Sequence, residues 1–229
     1  MKKRSVNAKP RKAPKAGKAS EAKPFDPTSY RLPEGKILVL RTCNADGTSH
    51  GNFKWPASGP VSCPDWSPEP KCGNGLHGFA RGEGNGELAN WGEAALWQVV
   101  EVDETSIVKI DSEKVKFPSG HVIYTGLRAI ATAMLVASHP GHAVIGAIVQ
   151  APDRGTATAG YAGTATAGDS GTATAGCAGT ATAGYHGTLV IRWHDGSRYR
   201  LVVGYVGENG IEANTRYRVE SGKLVKVTP

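Results

Sequence analysis

The sequence predicts an α+β fold that is mostly β: a small mixed domain, then a short capped β-solenoid of octapeptide repeats and a terminal antiparallel sheet. The unit G-T-A-T-A-G-x-x occurs four times from Gly155 to His186. Apolar runs that alternate with polar residues precede the repeats, as in sheets with one wet face. Turn signals separate these runs and follow the repeats. We therefore predict a basic arm at 1–24, an α+β domain at 25–140, the solenoid with caps at 141–192 and β-hairpins at 193–229.

The first segment carries the excess charge of the chain. Residues 1–24 hold nine of the 27 basic residues and one of the 20 acidic residues, so the remainder is almost neutral. The segment has almost no large apolar side chain, which predicts disorder. Such an arm can bind phosphates non-specifically by releasing counterions, and this predicts nucleic-acid or polyanion contact. The residues assigned to this contact are Lys2, Lys3, Arg4, Lys9, Arg11, Lys12, Lys15 and Lys18.

Strands dominate the second segment. The apolar run KILVLRTC (36–43) precedes the turn signal NADG, and residues 55–75 are rich in Pro, Gly and Ser and are expected to be loop. Four further strands are predicted in ALWQVVEVD (95–103), SIVKID (106–111), KVKF (114–117) and HVIYTG (121–126). The alternation within WQVVEV and SIVKI is typical of a half-buried sheet.

One helix is predicted, over LRAIATAMLVAS (127–138). Its apolar residues recur at i, i+3, i+4, i+7 and i+8, which places Met134 in the core. Thr125 is the predicted cap, and Pro140-Gly141 ends the helix.

The octapeptide predicts short strands bracketed by glycine. Alternation sends the two threonines of each TATA to one face and the two alanines to the other. A single octapeptide is too short to close a coil, so we expect two repeats per coil, with alanines inside and threonine ladders outside. Alanine buries little surface, so the stack needs caps.

Bulky residues replace alanine at both ends of the stack. Aligning GHAVIG (141–146) with GTATAG places Ala143 and Ile145 inward, and aligning GTLVIR (187–192) places Leu189 and Ile191 inward. Two hairpins follow, with turns at Asp195-Gly196 and at Ser221-Gly222.

Two weaker clusters bear on chemistry. Cys63, Cys72 and His77, with Cys43 upstream, are suitable zinc ligands in a loop-rich stretch, but the spacing of the cysteines is not that of a zinc knuckle. We favour unrelated side chains and predict neither a metal nor a cofactor. Four scattered cysteines are also too few for a disulfide framework.

An NAD-dependent ADP-ribosyl transferase core is an alternative. Arg41 and the GLHGF strand with His77 would fill two positions, and Glu101 or Glu104 the third. No aromatic-plus-Glu motif marks either glutamate, so a non-enzymatic protein is the first prediction.

CGNGLHGFA followed by LWQVVEVD, KVKF and VIYTG resembles a domain of unknown function in tailed bacteriophages and prophages. That family has a C-x-x-G-[LF]-H strand and is commonly joined to Gly-Ala-Ser/Thr-Ala repeats and a closing segment similar to IEANTRYRVESGKLVKV (211–227). The Pro-rich loop 56–70 departs from the family by its length. The resemblance implies a phage gene product with a rigid repeat surface, and it assigns no catalytic residue.

The predicted function is therefore a structural phage protein on the virion, in head decoration, a fibre or adhesion, that forms homo-oligomers. The first alternative is a host-takeover or anti-defence protein that binds nucleic acid or a host complex, and the second is the degenerate transferase. The predicted location is the virion or the host cytoplasm, without a signal peptide and without membrane insertion. The Thr-x-Thr ladders are also what some ice-binding solenoids display. With about two rungs per face, threonine as a strand former is preferred here.

Overall fold

The computed structural model describes residues 26–110 and 114–228. The predicted basic arm, with all eight of its assigned residues, lies outside the described residues. The described part contains sixteen strands, one α-helix and three short 3-10 helices at His50–Asn52, Gly86–Leu88 and Glu104–Ser106. This confirms the predicted α+β, mostly β fold. Among the described residues, no helix has the length and apolar character needed to cross a membrane.

The first seven strands form one antiparallel sheet in the order β2-β7-β4-β1-β3-β6-β5. They are β1 (Lys36–Cys43), β2 (Gly59–Ser62), β3 (Leu76–Ala80), β4 (Leu96–Asp103), β5 (Val108–Ile110), β6 (Lys114–Phe117) and β7 (Ser119–Gly126). Strand β2 lies within the stretch predicted to be loop. Together with the helix α1 (Arg128–Ser138), these strands are called the sheet region.

Strand β1 is apolar from Ile37 to Leu40 because both of its faces are covered there. Leu38 and Leu40 pack towards α1, while Ile37 and Val39 pack in a second cluster that contains Trp55. The four β1 side chains are almost completely buried. The sheet therefore has a hydrophobic core on each side of its central strands.

Helix α1 buries Ala131, Met134 and Leu135 beneath the sheet, which confirms Met134 as a core residue. Leu127 is the N-terminal cap residue and is 70% exposed. The predicted apolar stripe of the helix is therefore wrong at Leu127, which does not face the core. Thr125 does not cap the helix. Its hydroxyl accepts a hydrogen bond from Gln98, and the Leu127 amide donates to the Tyr124 hydroxyl.

Six parallel strands form the solenoid. They are β8 (Ile148–Ala151), β9 (Thr156–Ala159), β10 (Thr164–Ala167), β11 (Thr172–Ala175), β12 (Thr180–Ala183) and β13 (Thr188–His194). Strands β8, β10 and β12 pair on one side, and β9, β11 and β13 on the other, always in register with the residue sixteen positions away. Two octapeptides therefore complete one coil, as predicted.

The solenoid interior consists of eight buried alanines, two from each TATA strand. Leu189 and Ile191 close it at the C-terminal end, as the alignment of GTLVIR predicts. The alignment of GHAVIG is wrong. Those residues form no strand, and Ala143 is only half-buried.

The register of the coil shows where the stack begins. The Gly160 amide donates to the Val144 carbonyl, as the Gly176 amide donates to the Gly160 carbonyl. Val144 and Ile145 therefore occupy the turn position of the first coil. Both belong to the core cluster beneath α1, which also contacts Tyr161. The solenoid is thus capped by the sheet region itself.

The remaining strands are β14 (Tyr199–Tyr205), β15 (Tyr217–Glu220) and β16 (Lys223–Lys226). Both predicted hairpins are present: β13 pairs with β14, and β15 pairs with β16. They extend two different sheets. Strand β14 completes a four-stranded sheet with β13, β11 and β9, while β15 and β16 continue β12, β10 and β8 into a five-stranded sheet.

Candidate functional site

The outer surfaces of the two solenoid sheets are the most regular features of the molecule. The four-stranded face consists of outward side chains from β9, β11, β13 and β14: Thr156, Thr158, Thr172, Thr174, Thr188, Val190, Arg192, Tyr205, Val203 and Leu201. The five-stranded face of the solenoid strands consists of Ile148, Gln150, Thr164, Thr166, Thr180 and Thr182. Each face has side chains in two straight columns.

Glycines make the coils stack closely. A Cβ atom on Gly176 would lie 2.5 Å from the Gly160 carbonyl carbon, and one on Gly160 would lie 2.3 Å from the Ala143 carbonyl oxygen. These contacts are with backbone, which cannot move aside. The glycines that end each strand are therefore required by the approach of the next coil.

The variable x-x positions form the turns. Asp153 accepts a hydrogen bond from the Asp169 amide at 2.9 Å, and Asp169 accepts one from the Tyr185 amide at 2.8 Å. Each aspartate thus ties its own coil to the next. The second x residue adopts a left-handed conformation, with φ near +55° at Ser170 and +57° at Ala178.

The spacing of the outer columns follows from strand geometry. Neighbouring strands lie about 4.8 Å apart, and alternate residues in one strand lie about 6.6 Å apart. Exact register places each threonine beside the threonine of the next coil. The result is a flat grid of hydroxyl and methyl groups on an alanine core.

The two faces differ in how free their hydroxyls are. On the five-stranded face the Thr180 hydroxyl donates to the Thr164 hydroxyl at 3.3 Å. On the four-stranded face none of the five ladder threonines has a side-chain hydrogen bond with another described residue. The hydroxyls of the four-stranded face are therefore available to water.

The faces also differ at their ends. The five-stranded face starts with Ile148 and Gln150 and continues into the charged outer residues of β15 and β16, such as Arg218, Glu220 and Lys223. On the four-stranded face, each of the strands β9, β11 and β13 contributes one pair of outward side chains, which we call a rung. Thr188 and Val190 of β13 form the third rung, and Tyr205 and Val203 of β14 lie directly opposite them. This rung was missed from the sequence, although GTLVIR keeps the threonine in phase.

Three of the candidate zinc ligands, Cys63, Cys72 and His77, line one cavity, but their side chains are not grouped as metal ligands. The buried Cys43 thiol donates to Gln98, the Cys63 thiol donates to Asp65, and the Cys72 sulfur lies 3.4 Å from the Lys114 amine. Burial raises the pKa of both the Cys43 and Cys63 thiols. Residues 26–110 and 114–228 contain no group of three or more potential ligands that could hold a metal ion.

The transferase residues are only partly assembled. Arg41 on β1 and His77 on β3 line one cavity, and the Arg41 guanidinium donates to the His77 carbonyl. Glu101 accepts a hydrogen bond from Tyr30, Glu104 pairs with Arg81, and neither glutamate lines that cavity. The third position of the predicted triad is therefore unfilled.

No family model and no solved structure matches the chain. The chain is similar over its repeat region to several bacterial ice nucleation proteins. It is 34% identical to InaU of Pantoea ananas over 106 residues, which are 46% of this chain and 10% of that protein. It is 38% identical to an ice nucleation protein of Pseudomonas fluorescens over 97 residues, 42% of this chain and 8% of that protein. For one of Xanthomonas campestris pv. translucens the identity is 36% over 106 residues, 46% of this chain and 7% of that protein.

The chain thus spans a tenth or less of the length of these relatives. The similarity overturns the predicted phage family, the virion and host-takeover functions, the transferase alternative and the location in a virion or host cytoplasm. The prediction of a non-enzymatic protein is confirmed, because the matched relatives are ice nucleation proteins. The nucleic-acid contact through residues 1–24 stays a prediction.

Proposed function

We propose that this protein binds ice through the four-stranded face of its solenoid. The observation that carries the proposal is the in-register repetition of threonine at two fixed positions in successive coils. The names of the relatives supply the class of ligand, because they are ice nucleation proteins. The preference for threonine as a mere strand former is thereby set aside.

The chemistry of the grid suits an ordered water layer. Threonine offers one hydroxyl that can donate and accept and one methyl group that water cannot bond. A repeat of about 4.8 Å by about 6.6 Å is close to distances between oxygen atoms in the ice lattice. Since the sheet fixes the positions of these side chains, the protein loses little conformational entropy when water orders on them.

The four-stranded face is the better candidate of the two. Its ladder threonines have no side-chain hydrogen bond with another described residue, and its third rung retains Thr188. Its surface continues across Val203 and Leu201 and, apart from Arg192 beside Leu201, is uncharged. The ladder of the five-stranded face is flanked by Gln150 and by charged residues of the terminal hairpin. Charged side chains hold their own hydration shells, which compete with an ice-like arrangement.

A pair of matched variants tests this assignment. Thr174→Lys changes the central rung of the four-stranded face, and Thr166→Lys changes the central rung of the five-stranded face. We expect Thr174→Lys to reduce partition into growing ice and thermal hysteresis by at least about tenfold, because central contacts carry most of an interface's energy. Thr166→Lys should leave both unchanged.

Two results would contradict the proposal. If the unaltered chain neither partitions into ice nor shows thermal hysteresis, it does not bind ice. If the two lysine variants lose the same amount of ice partition and thermal hysteresis, the assignment of ice binding to one face is wrong. Circular dichroism of both variants checks that the solenoid remains folded.

We also propose that two copies pair along β14, which is an edge strand of the described four-stranded sheet. Leu201, Val203 and Tyr205 are 64%, 47% and 53% exposed, an apolar edge that favours another strand. Antiparallel pairing about a two-fold axis would join two four-stranded faces into one wider surface. A wider surface orders a larger patch of water, as nucleation requires.

Sedimentation equilibrium and droplet freezing test the pairing together. Val203→Lys places like charges on neighbouring strands near the axis, so we expect it to shift dimer to monomer and lower the freezing temperature of droplets. Lys223→Ala, a change on the other terminal hairpin, is the control. A protein that is monomeric at all concentrations, or a Val203→Lys dimer of unchanged stability, would refute pairing along β14.

A further inference from the structure

A cavity of about 880 Å³ lies in the sheet region, beside β1 and β3. Its apolar lining includes Phe53, Trp55 and Leu76. Arg41, His77 and Lys114 reach it from three strands. The solenoid faces do not include any of these residues, so the cavity is separate from the proposed ice surface.

Arg41 is the most unusual of the lining residues. It is 6% exposed, and its guanidinium carbon lies 3.4 Å from the centre of the Trp55 ring. Two of its nitrogens donate weakly to the carbonyl oxygens of His77 and Thr42, at 3.4 and 3.3 Å. Its Nε atom is buried without a partner, and no carboxylate pairs with it among the described residues. A buried cation without an anion is costly, which indicates that a partner is missing.

The other charges around the cavity are mostly positive. The Lys114 amine is held beside the Cys72 sulfur, and the buried Lys116 amine donates to the Gly73 carbonyl at 3.3 Å. Asp65 lines the cavity as well, and it accepts a hydrogen bond from the Cys63 thiol. Three cations against one acid produce a positive potential inside.

Burial and this positive potential lower the pKa of His77, which lies in the same cavity. Its Nε2 atom is buried and has no hydrogen-bond partner. Burial, followed by the charges of Lys114, Lys116 and Arg41, lowers the pKa of His77 to about 4. Burial also lowers the pKa of Arg41, to about 10, so at neutral pH Arg41 is charged and His77 is not.

We propose that this cavity binds a small organic anion, a carboxylate or a phosphate monoester with a flat apolar body. The oxyanion accepts from the free Nε–H of Arg41 and lies within the field of Lys114. The apolar body packs against Phe53 and Trp55 in the remaining volume. Because the bound charge offsets the surrounding cations, occupancy raises the pKa of His77.

Calorimetric titration of the whole 229-residue chain with three probes tests the proposal. Phenyl phosphate and benzoate carry the charge on a flat ring, and benzamide has the same ring without the charge. We expect at least one of the two anions to bind with a Kd below about 1 mM and benzamide to bind at least tenfold more weakly. Equal binding of benzamide, or no binding of either anion, would overturn the proposal.

Variants connect the binding to the named residues. Arg41→Gln should weaken the anion at least about tenfold, as expected for a hydrogen bond to a charged group. Lys114→Gln, on an exposed amine, should weaken it about threefold, since its interaction is screened. Lys109→Gln removes an exposed lysine from β5, outside the cavity, and serves as the control.

Because Arg41 is buried, its variant can fail to fold, and a second measurement then decides. An NMR titration of the His77 ring in the unaltered protein should show a higher pKa with saturating phenyl phosphate than without it. An unchanged His77 pKa, or equal effects of Lys114→Gln and Lys109→Gln, would overturn the assignment of the anion to this cavity.

Discussion

Large side chains such as Leu38, Trp97 and Met134 fill the core beneath α1, whereas eight alanines fill the solenoid interior. The buried polar and charged side chains among the described residues lie in the sheet region or directly after its helix: Arg41, Gln98, Lys116, Thr132 and His139. The sheet region obtains its stability from hydrophobic volume and tolerates a cavity and buried charge. The solenoid obtains it from close backbone stacking, which leaves its surface regular.

The largest effect is expected when the stacking of the solenoid coils is disturbed, because we infer that this stacking stabilises the solenoid. Gly176→Ala places a Cβ atom 2.5 Å from the backbone of Gly160, so the coils must separate. We expect a loss of about 3 kcal/mol in the free energy of unfolding, at the upper end of typical overpacking costs. Thermal denaturation and hydrogen exchange of the solenoid peptides measure it.

Gly92→Ala is the matched control, since its Cβ atom would meet only the Asn90 side-chain oxygen, at 3.1 Å. We expect it to change the free energy of unfolding by less than about 1 kcal/mol. If the two variants unfold at the same temperature, close stacking is not what stabilises the solenoid.

The next largest effect is the response to acid, which should separate the two regions. The His139 Nε2 atom accepts from the Leu38 amide at 3.1 Å, so the folded state needs a neutral ring. Burial, then the charges of Arg81 and His142, lowers the pKa of His139 from 6.5 to about 4. The unfolded chain therefore binds the proton first, and stability is full above pH 6.5 and falls as the pH drops towards 4.

At pH 5 this linkage costs the sheet region about 2 kcal/mol relative to pH 7. Urea unfolding at the two pH values measures the loss. The pKa of His77 is also lowered to about 4, so His77 adds a similar loss, and His139→Gln should remove about half of the pH dependence. Hydrogen exchange of β9–β12, corrected for the intrinsic rate, should not change over this range. An equal loss of protection in the solenoid strands would show that the two regions do not differ in this way.

A smaller effect is expected from relieving a strained turn. Ala178 has a φ of +57°, a conformation that glycine adopts without penalty. Ala178→Gly should therefore raise the free energy of unfolding by about 0.5 to 1 kcal/mol, the relief being partly offset by the entropy of the unfolded chain. Ala173→Gly, in the interior, should destabilise instead, and stabilisation by both would contradict this account.

The smallest expected effect sharpens the difference between the faces. Val190→Thr completes the third Thr-x-Thr rung of the four-stranded face, and Gln150→Thr alters the first rung of the other face. We expect Val190→Thr to increase thermal hysteresis about twofold, or about 0.4 kcal/mol of binding energy, from one added hydroxyl in an ordered grid. Gln150→Thr should leave thermal hysteresis unchanged. If Gln150→Thr alone increased thermal hysteresis, ice binding would have to be assigned to the five-stranded face instead.

The Thr-x-Thr ladders of the repeats alone give only two rungs per face, which is a small area for binding ice. The structure adds a third rung at Thr188 and an apolar strand beside it, so the four-stranded face is larger than the repeats alone indicate. The signal for this rung in the sequence is the phase of GTLVIR, which places Thr188 outward as well as Leu189 and Ile191 inward.

The sequence by itself determined the features that depend on neighbours along the chain. Alternation placed the alanines inside, the sixteen-residue coil followed from two octapeptides, and the turns at Asp195-Gly196 and Ser221-Gly222 positioned both hairpins. These depend on backbone geometry within a few residues.

Tertiary structure decided the features that depend on segments far apart in the chain. The phase of the first coil depends on Val144 and Ile145 packing beneath α1, and the hairpins extend different sheets because one follows β13 while the other pairs with β12. The meeting of Arg41 and His77 depends on the pairing of β1 with β3. Local periodicity carries no information about such pairings, because their energy comes from contacts that form only when the whole chain is folded.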